Sequence, residues 1–529
     1  MMKKNINKMF AGLAALTISI TSITACTSKV SNNAVKVSSS AAGKSSDSEK
    51  SASDSKAKSD LKAGSDTQSR DLSSIYASED LDDSWDEADP VQITLNKDSA
   101  LTSDDSAVAV EGSVITIKKA GVYVVSGELE NGQILVDADE EAVVHIVLNG
   151  ATLNSSVSAP IYASNAKKVI LTLADGTENT LSDAAEYVYT EGEDEPDAVL
   201  FVKNDLTING SGTLNITANY ADGIKAEGKL LIISGGFNIR AADNAVKGKD
   251  SITIEGGEFN IEAQGKGMTG EGALTVYNAD IDITKSDEGL EGLTVEIYGG
   301  GINIVAGDDG INARVKYDDN ISDEEKERLG MQYQESAWIK IASGSVSVCA
   351  DGDGIDSNGD VYIEGGSLYL NGPEDEQNGG LDYNGSAVIN GGLYIGVSSS
   401  GMSQGFSKAS GQNSIEVFYA QTQAGGTAIS LTDASGNEIA AITAMKTFSS
   451  LIISSPEIKA GETLTLKTGE SSQEITVNEG VTTIGESKSG FPGGFNKEMP
   501  QPRGDFGGEP PKDSEGNMLS PDREPSGRE

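Results

Sequence analysis

From about residue 206 onward the chain repeats one hydrophobic pattern. Segments such as "LIISGG", "ITIEGG", "VEIYGG", "IKIASG" and "VYIEGG" put apolar residues at every second position and close on a small-residue bend. A second alternating segment follows ("FNIRA", "FNIEA", "IDITK", "INIVA", "VSVCA"), and then a short third one carrying a DGI-type motif. A period of two is that of a strand with one buried face. Glycine at the bends permits a positive φ that is costly for a residue with a Cβ.

Aligned on one apolar position, the units register as Ile224, Val246, Met268, Leu290, Ile311, Ile355, Leu381 and Phe406. The first four intervals are 22, 22, 22 and 21 residues. The next, 44, contains the insertion "RVKYDDNISDEEKERLGMQYQESA" (314–337), whose removal restores the period. Three short strands per turn of about 22 residues is the plan of an all-β solenoid, a parallel β-helix. Phe237, Phe259, Ile281, Ile302 and Val346 are expected to form one inward ladder, and Ile239, Ile261, Ile283, Ile304 and Val348 another. A leucine-rich solenoid would carry a denser leucine pattern, and a propeller blade about twice the period.

Residues 91–205 read as irregular opening coils, so the β-helix domain is placed at 91–410. Segments such as "SIEVFYAQ", "SLIISSP" and "ETLTLKTG" predict antiparallel β-structure, a C-terminal β cap over 411–485. A solenoid end needs cover because an open coil is an unpaired sheet edge.

The termini differ in composition. The start "MMKKNINKMF AGLAALTISI TSITAC" has a basic beginning, a short apolar run and small residues before Cys26. This ending resembles a bacterial lipoprotein processing site, with residues 1–25 as signal peptide and Cys26 as the lipidated residue. The expected location is therefore the outer face of the cell membrane, reached through a lipid anchor only. Cys349 is the other cysteine, so acylation of Cys26 would leave it no disulfide partner within the chain. Residues 26–90 are rich in Ser, Lys and Asp and read as a disordered tether reaching on the order of 45 Å. The Gly/Pro-rich, acidic stretch 486–529 reads as a disordered tail.

The formal charge is −43, from 39 basic and 82 acidic residues. It excludes nucleic acid as a directly attracted partner. A single histidine, His145, all but excludes histidine-based chemistry. A monomer is expected.

The repeat concentrates the acidity. Two residues before the apolar position lie Asp222, Asn244, Lys266, Glu288, Asp309 and Asp353; one residue after it lie Lys225, Lys247, Thr269, Glu291, Asn312, Asp356 and Asp382. Asp287, Asp308 and Asp351 extend the acidic half. Carboxylates stacked one strand spacing apart are stable when protonated or bridged by cations. Hard oxygen donors in this number suit Ca²⁺, which takes about six to eight oxygen ligands. The candidate metal residues are therefore Asp287, Glu288, Glu291, Asp308, Asp309, Asn312, Asp351, Asp353, Asp356 and Asp382. Asp, Asn and Gly are also ordinary turn formers, which is the plain alternative. Lys225 and Lys247 are candidate contacts to an anionic sugar, or else a solvated stripe paired with Asp222 and Asp243. Tyr317, Tyr333 and Trp338, in or beside the insertion, are candidates for a sugar-stacking platform.

The ordered series of DGI-type repeats, the entry "AGVYVVSGELENGQILVDADEEAVVHIVLNGATL", the segment "APIYASNAKKVILTLADGTENTLSD" and "LTINGSGTLNIT" together resemble a bacterial surface carbohydrate-binding domain family. That family is typified by a clostridial protein that binds cellulose and polygalacturonate. The resemblance spans roughly 91–410 and implies a pectate-lyase-like, right-handed β-helix with bound calcium. It also implies polysaccharide binding without catalysis. "AQGKGMTG" lacks the acidic pair, and Lys225 and Lys247 replace neutral or acidic partners, so metal is expected only in the later coils. The expectation is a lipid-anchored, calcium-containing polysaccharide-binding protein that is not an enzyme. The alternatives are a calcium-dependent polysaccharide lyase with a lysine base and a structural surface adhesin.

Overall fold

The computed structural model describes residues 76–85, 89–189, 192, 194–317 and 320–486, within one compact unit. The expected signal peptide 1–25, Cys26, most of the 26–90 tether and the tail from 487 lie outside the described residues.

Each regular coil has three strands. One coil is Asp222–Ala226, Lys229–Ile232 and Gly236–Ala241; the next is Val246–Gly248, Ser251–Ile254 and Glu258–Ala263. Equivalent strands pair in parallel, with Ile224 opposite Val246, Leu230 opposite Ile252 and Phe237 opposite Phe259. The first strands of the coils form a twelve-stranded sheet, antiparallel in its opening pair and parallel thereafter. The second and third strands run through a twenty-five-stranded sheet. Its two halves join at the long strand Val143–Asn154, which pairs with Lys168–Leu173 at one end and Glu178–Ser182 at the other.

The alternation in the sequence becomes the core directly. Phe237, Phe259, Ile281, Ile302 and Val346 stand in register and are buried, as are Ile239, Ile261, Ile283, Ile304 and Val348. The Phe237 and Phe259 rings stack with centroids 4.6 Å apart. Burying such side chains stabilises by about 1.5–3 kcal/mol each. The bends need glycine for a specific reason at Gly300. Its φ is +88°, and a Cβ there would overlap the carbonyl oxygen of Ala279 on the preceding coil.

Two features depart from the simple repeat. Phe406, aligned as an eighth unit, is not in a strand; the twelve-stranded sheet ends at Leu381–Tyr383. Phe406 is instead a buried residue packed edge-on against Tyr394, centroids 5.0 Å apart. The insertion contains a helix, Asp323–Gly330, whose last carbonyl accepts hydrogen bonds from the Asn358 and Asn384 amides.

Residues 76–85, assigned to the tether by composition, pack along the outside of the coils. Tyr76 bonds to Glu255, while buried Asp80 accepts from Lys168 Nζ at 2.9 Å and Thr207 Oγ1 at 2.5 Å. Trp85 packs on Val124, Val147 and Ala174. This folded stretch therefore corrects the tether's assigned end at residue 90.

Beyond the last coil the pairing turns mostly antiparallel, with Ser414–Gln423 pairing in parallel only to Val481–Ile484. Leu393–Ser398 pairs with Phe448–Ser454, which also pairs with Ser414–Gln423. A four-stranded antiparallel sheet follows over residues 428–476, and its Leu431 and Leu466 share a second core with Ile395, Val397 and Leu451.

Candidate functional site

The short strands carrying the DGI-type motif turn one residue into the core and the next outward, where most are still covered by neighbouring side chains. Their outward residues stand in one register: Tyr162, Phe201, Lys225, Lys247, Thr269, Glu291, Asn312, Asp356 and Asp382. Along the axis this row passes from aromatic to basic to acidic.

The residues two positions earlier form a parallel row with a structural task. Asp222 Oδ1 accepts the backbone N–H of Asn244 at 3.1 Å, and Asn244 Oδ1 accepts that of Lys266 at 3.0 Å. Asp309 Oδ1 accepts the N–H of Asp353 at 2.7 Å, and Asp353 Oδ1 that of Gly379 at 2.5 Å. In these four coils one side-chain oxygen thus satisfies a backbone donor of the next coil. This explains much of the Asp/Asn periodicity without a metal.

The acidic end goes further than that task requires. Carboxylate oxygens of Asp353, Asp356 and Asp382 all lie within 4.8 Å of one another. Asn312 is buried beside them; its Nδ2 donates to Asp309 at 3.2 Å and Glu288 at 3.3 Å, while its Oδ1 has no hydrogen-bond partner. Burial, reinforced by Asp382, Asp309 and Asp308, pushes Asp353 up to about 8. Burial and the carboxylates of Asp309, Asp353 and Asp382 hold Asp356 well above the ordinary carboxylate range. Burial and Asp308 raise Asp309 to about 6, and burial raises Asp382. Three hard carboxylates and an unpaired buried carboxamide oxygen are a donor set that fits a calcium ion.

The other candidate metal residues are placed differently. Lys266 lies 3.1 Å from Glu288 and also contacts Glu291, which Arg314 binds as well. Burial opposes the charge on Glu291, but Lys266 and Arg314 outweigh it and hold Glu291 below the usual range. Glu288 is pushed to about 7 by burial and by Glu291. Glu291 is thus neutralised by side chains, whereas Lys266 only partly offsets the burial of Glu288. Asp287 and Asp308 are exposed, and Asp351 pairs with buried Lys446 at 2.9 Å; all three stand outside the close triad.

Of the two candidate sugar-binding lysines, Lys225 is committed within the chain. Its Nζ lies 2.8 Å from both oxygens of Asp197, 3.0 Å from Glu227 and 5.2 Å from the Phe201 ring centroid. Burial opposes its charge, yet Asp197 and Glu227 keep it above the usual lysine range. A buried, charged lysine so held is neither an open sugar contact nor a base. Lys247 sits 3.6 Å from Asp222 and lines a groove of about 170 Å³ with Lys249, Lys266, Arg314 and Lys316, alongside Glu271 and Glu291. In so acidic a chain this cationic groove is an anomaly. The repeat alignment contained Lys266, whereas Lys249, Arg314 and Lys316 went unremarked because they lie beside the motif rather than in it.

The aromatic candidates divide likewise. Tyr333, which is exposed, and Tyr362 both donate to Asp360 Oδ2, at 3.0 and 3.1 Å. Trp338 stands opposite Asp360 in register and donates to Glu296 at 3.2 Å. The Tyr317 hydroxyl accepts from Gln334, the residue after Tyr333, at 3.4 Å. The sequence reading missed Tyr277 and Tyr298, stacked 5.1 Å apart with Lys340 Nζ 5.7 Å from the Tyr298 centroid. Their 21-residue spacing was the available signal.

A family model described as a carbohydrate-binding domain-containing protein matches residues 111–273 and 266–491. The chain belongs to this family. A carbohydrate-binding domain-containing protein of Acetivibrio thermocellus is 35% identical over 151 residues, covering 28% of this chain and 53% of that relative. The match thus spans about half the length of the curated relative. A solved structure of a polysaccharide lyase-like protein from C. thermocellum, a gadolinium derivative, is 26% identical, covers 57% of this chain and 96% of that one, and gives a TM-score of 0.37.

Proposed function

We propose that this carbohydrate-binding domain protein is a non-catalytic, calcium-dependent receptor for an acidic polysaccharide of the uronate type. The observation that carries the reading is the Asp353, Asp356 and Asp382 triad beside the unpartnered Asn312 oxygen. These four residues would hold the ion. Bound there, calcium would supply positive charge for a sugar carboxylate at the acidic end of the row. Lys247, Lys266 and Arg314 would meet further carboxylates of the same polymer along the adjoining groove.

The proposal includes a right-handed coil, the sense favoured for parallel crossover connections. It also includes the antiparallel C-terminal segment as a cap, acylation at Cys26, display on the outer membrane face and a monomeric state. The non-enzymatic reading is supported by Lys225, whose charge is fixed by two carboxylates rather than free to take a proton. Calorimetry with polygalacturonate, run with calcium and then with EGTA, tests the binding reading. Binding confined to the calcium arm, without unsaturated product absorbing near 235 nm, is expected. Equal affinity in both arms would overturn the calcium reading, and a rise in absorbance would establish a lyase.

A further inference from the structure

Residues 76–85 lie outside the stretch matched by the family model, which begins at residue 111, so the family relationship does not account for them. They run across the outward side of the second strands of the early coils. Asp80 anchors the segment through Lys168 Nζ, at 2.9 Å, and Thr207 Oγ1, at 2.5 Å. Trp85 packs beside Val122 on Val124, Val147 and Ala174. Val122 stands opposite His145 in register. The single histidine of the chain therefore lies beneath the segment, between the Asp80 anchor and Trp85.

A chain of hydrogen bonds links His145 to the backbone of the segment. Asn209 Nδ2 donates to the carbonyls of Asp80 and Asp82, at 3.3 and 3.2 Å. Its Oδ1 is left to accept from Thr172 Oγ1, at 2.5 Å. The Thr172 hydroxyl has one proton, so its oxygen accepts from His145 Nε2, at 2.7 Å. The neutral ring thus carries its hydrogen on Nε2, and a second proton goes to Nδ1. The charge acting on His145 is that of Asp82, an exposed carboxylate whose Oδ1 accepts from the Ser84 N–H and hydroxyl, at 3.0 and 2.6 Å. The strands on either side place Val122 and Ile170 opposite the ring. Lys168, two residues before Ile170, is taken up by Asp80 and Glu79. Burial outweighs Asp82 and holds His145 below its ordinary value of 6.5. An imidazolium is poorly accommodated while the segment covers it.

We propose that residues 76–85 are an acid-released strap, held down over neutral His145 and let go when that ring takes a second proton. The docked state has the depressed value, so docking is fully favoured above about pH 6.5 and weakens as the pH falls below it. Undocking lets water reach the imidazolium and frees up to about 35 Å of extended chain. It also uncovers an apolar strip formed by Val122, Val124, Val147 and Ala174. In acid surroundings the coils would stand further from whatever the upstream chain is attached to. Neither the calcium site nor any sugar contact takes part.

Trp85 reports on docking once the other tryptophan is replaced, as Trp338→Phe in the full chain. Acrylamide quenching of Trp85 should rise at least about twofold from about pH 7.5 to about pH 5, while the β-sheet circular dichroism stays constant. His145→Gln, which keeps a donor for Thr172 but takes no proton, should leave Trp85 shielded at both values. Asp80→Ala should expose it at both. The lone His145 Cε1–H resonance, followed by NMR in the wild type, should titrate with the same midpoint, below 6.5. Quenching indifferent to pH, or rising only as the circular dichroism is lost, would overturn the strap. So would an undiminished pH response in His145→Gln, a shielded Trp85 in Asp80→Ala, or a His145 midpoint at or above 6.5.

Discussion

Asn244 Nδ2 lies 2.8 Å from Asp222 Oδ1 on the preceding coil, and the Asn244 backbone N–H donates to the same oxygen. Asp222 is thereby used as an acceptor, while its charge is a burden. Burial is the main cause raising it from 3.8 to about 6, despite the opposing influence of Lys247.

A carboxyl whose folded value exceeds its unfolded one destabilises the fold once ionised. The cost is absent below about pH 3.8, grows towards about pH 6 and is complete above that. Its upper limit is roughly 3 kcal/mol. Asp222→Asn retains the acceptor oxygen and removes the charge. It should stabilise by about 1–2 kcal/mol at pH 7, a gain that vanishes near pH 4; denaturant unfolding at the two pH values measures it.

Calcium should raise the melting temperature. Binding to the native state alone contributes about 2.7 kcal/mol at a hundredfold excess over the dissociation constant. Asp356→Asn should diminish that response and, in EGTA, melt higher than the wild type because a repelling charge is gone. Elemental analysis of calcium-equilibrated protein supplies the independent check. No bound metal and no thermal shift would refute the ion site.

Arg314 is half-exposed and shares Glu291 with Lys266. Arg314→Gln should leave folding intact and lower polygalacturonate affinity by roughly twofold to fivefold, the worth of a partly exposed charge contact. The loss should shrink at high salt, and calorimetry across an ionic-strength series would reveal it.

Gly300 and Gly426 both have positive φ, but only Gly300 faces a neighbouring coil closely. Gly426→Ala should cost about 1 kcal/mol, from backbone conformation alone. Gly300→Ala adds steric overlap and should cost about 2–4 kcal/mol. Comparable melting temperatures for the two variants would contradict this account of the bends.

The coil architecture was legible because one residue in two is apolar and the unit recurs at nearly constant length. That fixed which side chains share a row, from Lys225 to Asp382, before any contact was known. It did not fix which members of a row find partners. Glu291 is neutralised by Lys266 and by Arg314 at the edge of the insertion, an encounter that coil periodicity does not encode. Asp353, Asp356 and Asp382 converge because the motif brings two rows together on two adjacent turns. Residues 76–85 escaped notice because Ser- and Asp-rich composition resembles a linker. Their order depends on partners such as Lys168, Thr207 and Glu255, far away in sequence.

That N-terminal segment has a mechanical consequence. It crosses the outside of several coils, bonding at Glu255, Thr207 and Lys168 before Trp85 settles beside the earlier strands. A pull on the chain upstream of Tyr76 is therefore met first by contacts on successive turns of the stack, loaded together in shear. Without this lacing, the same tension would peel away the outermost turn, breaking one row of bonds at a time.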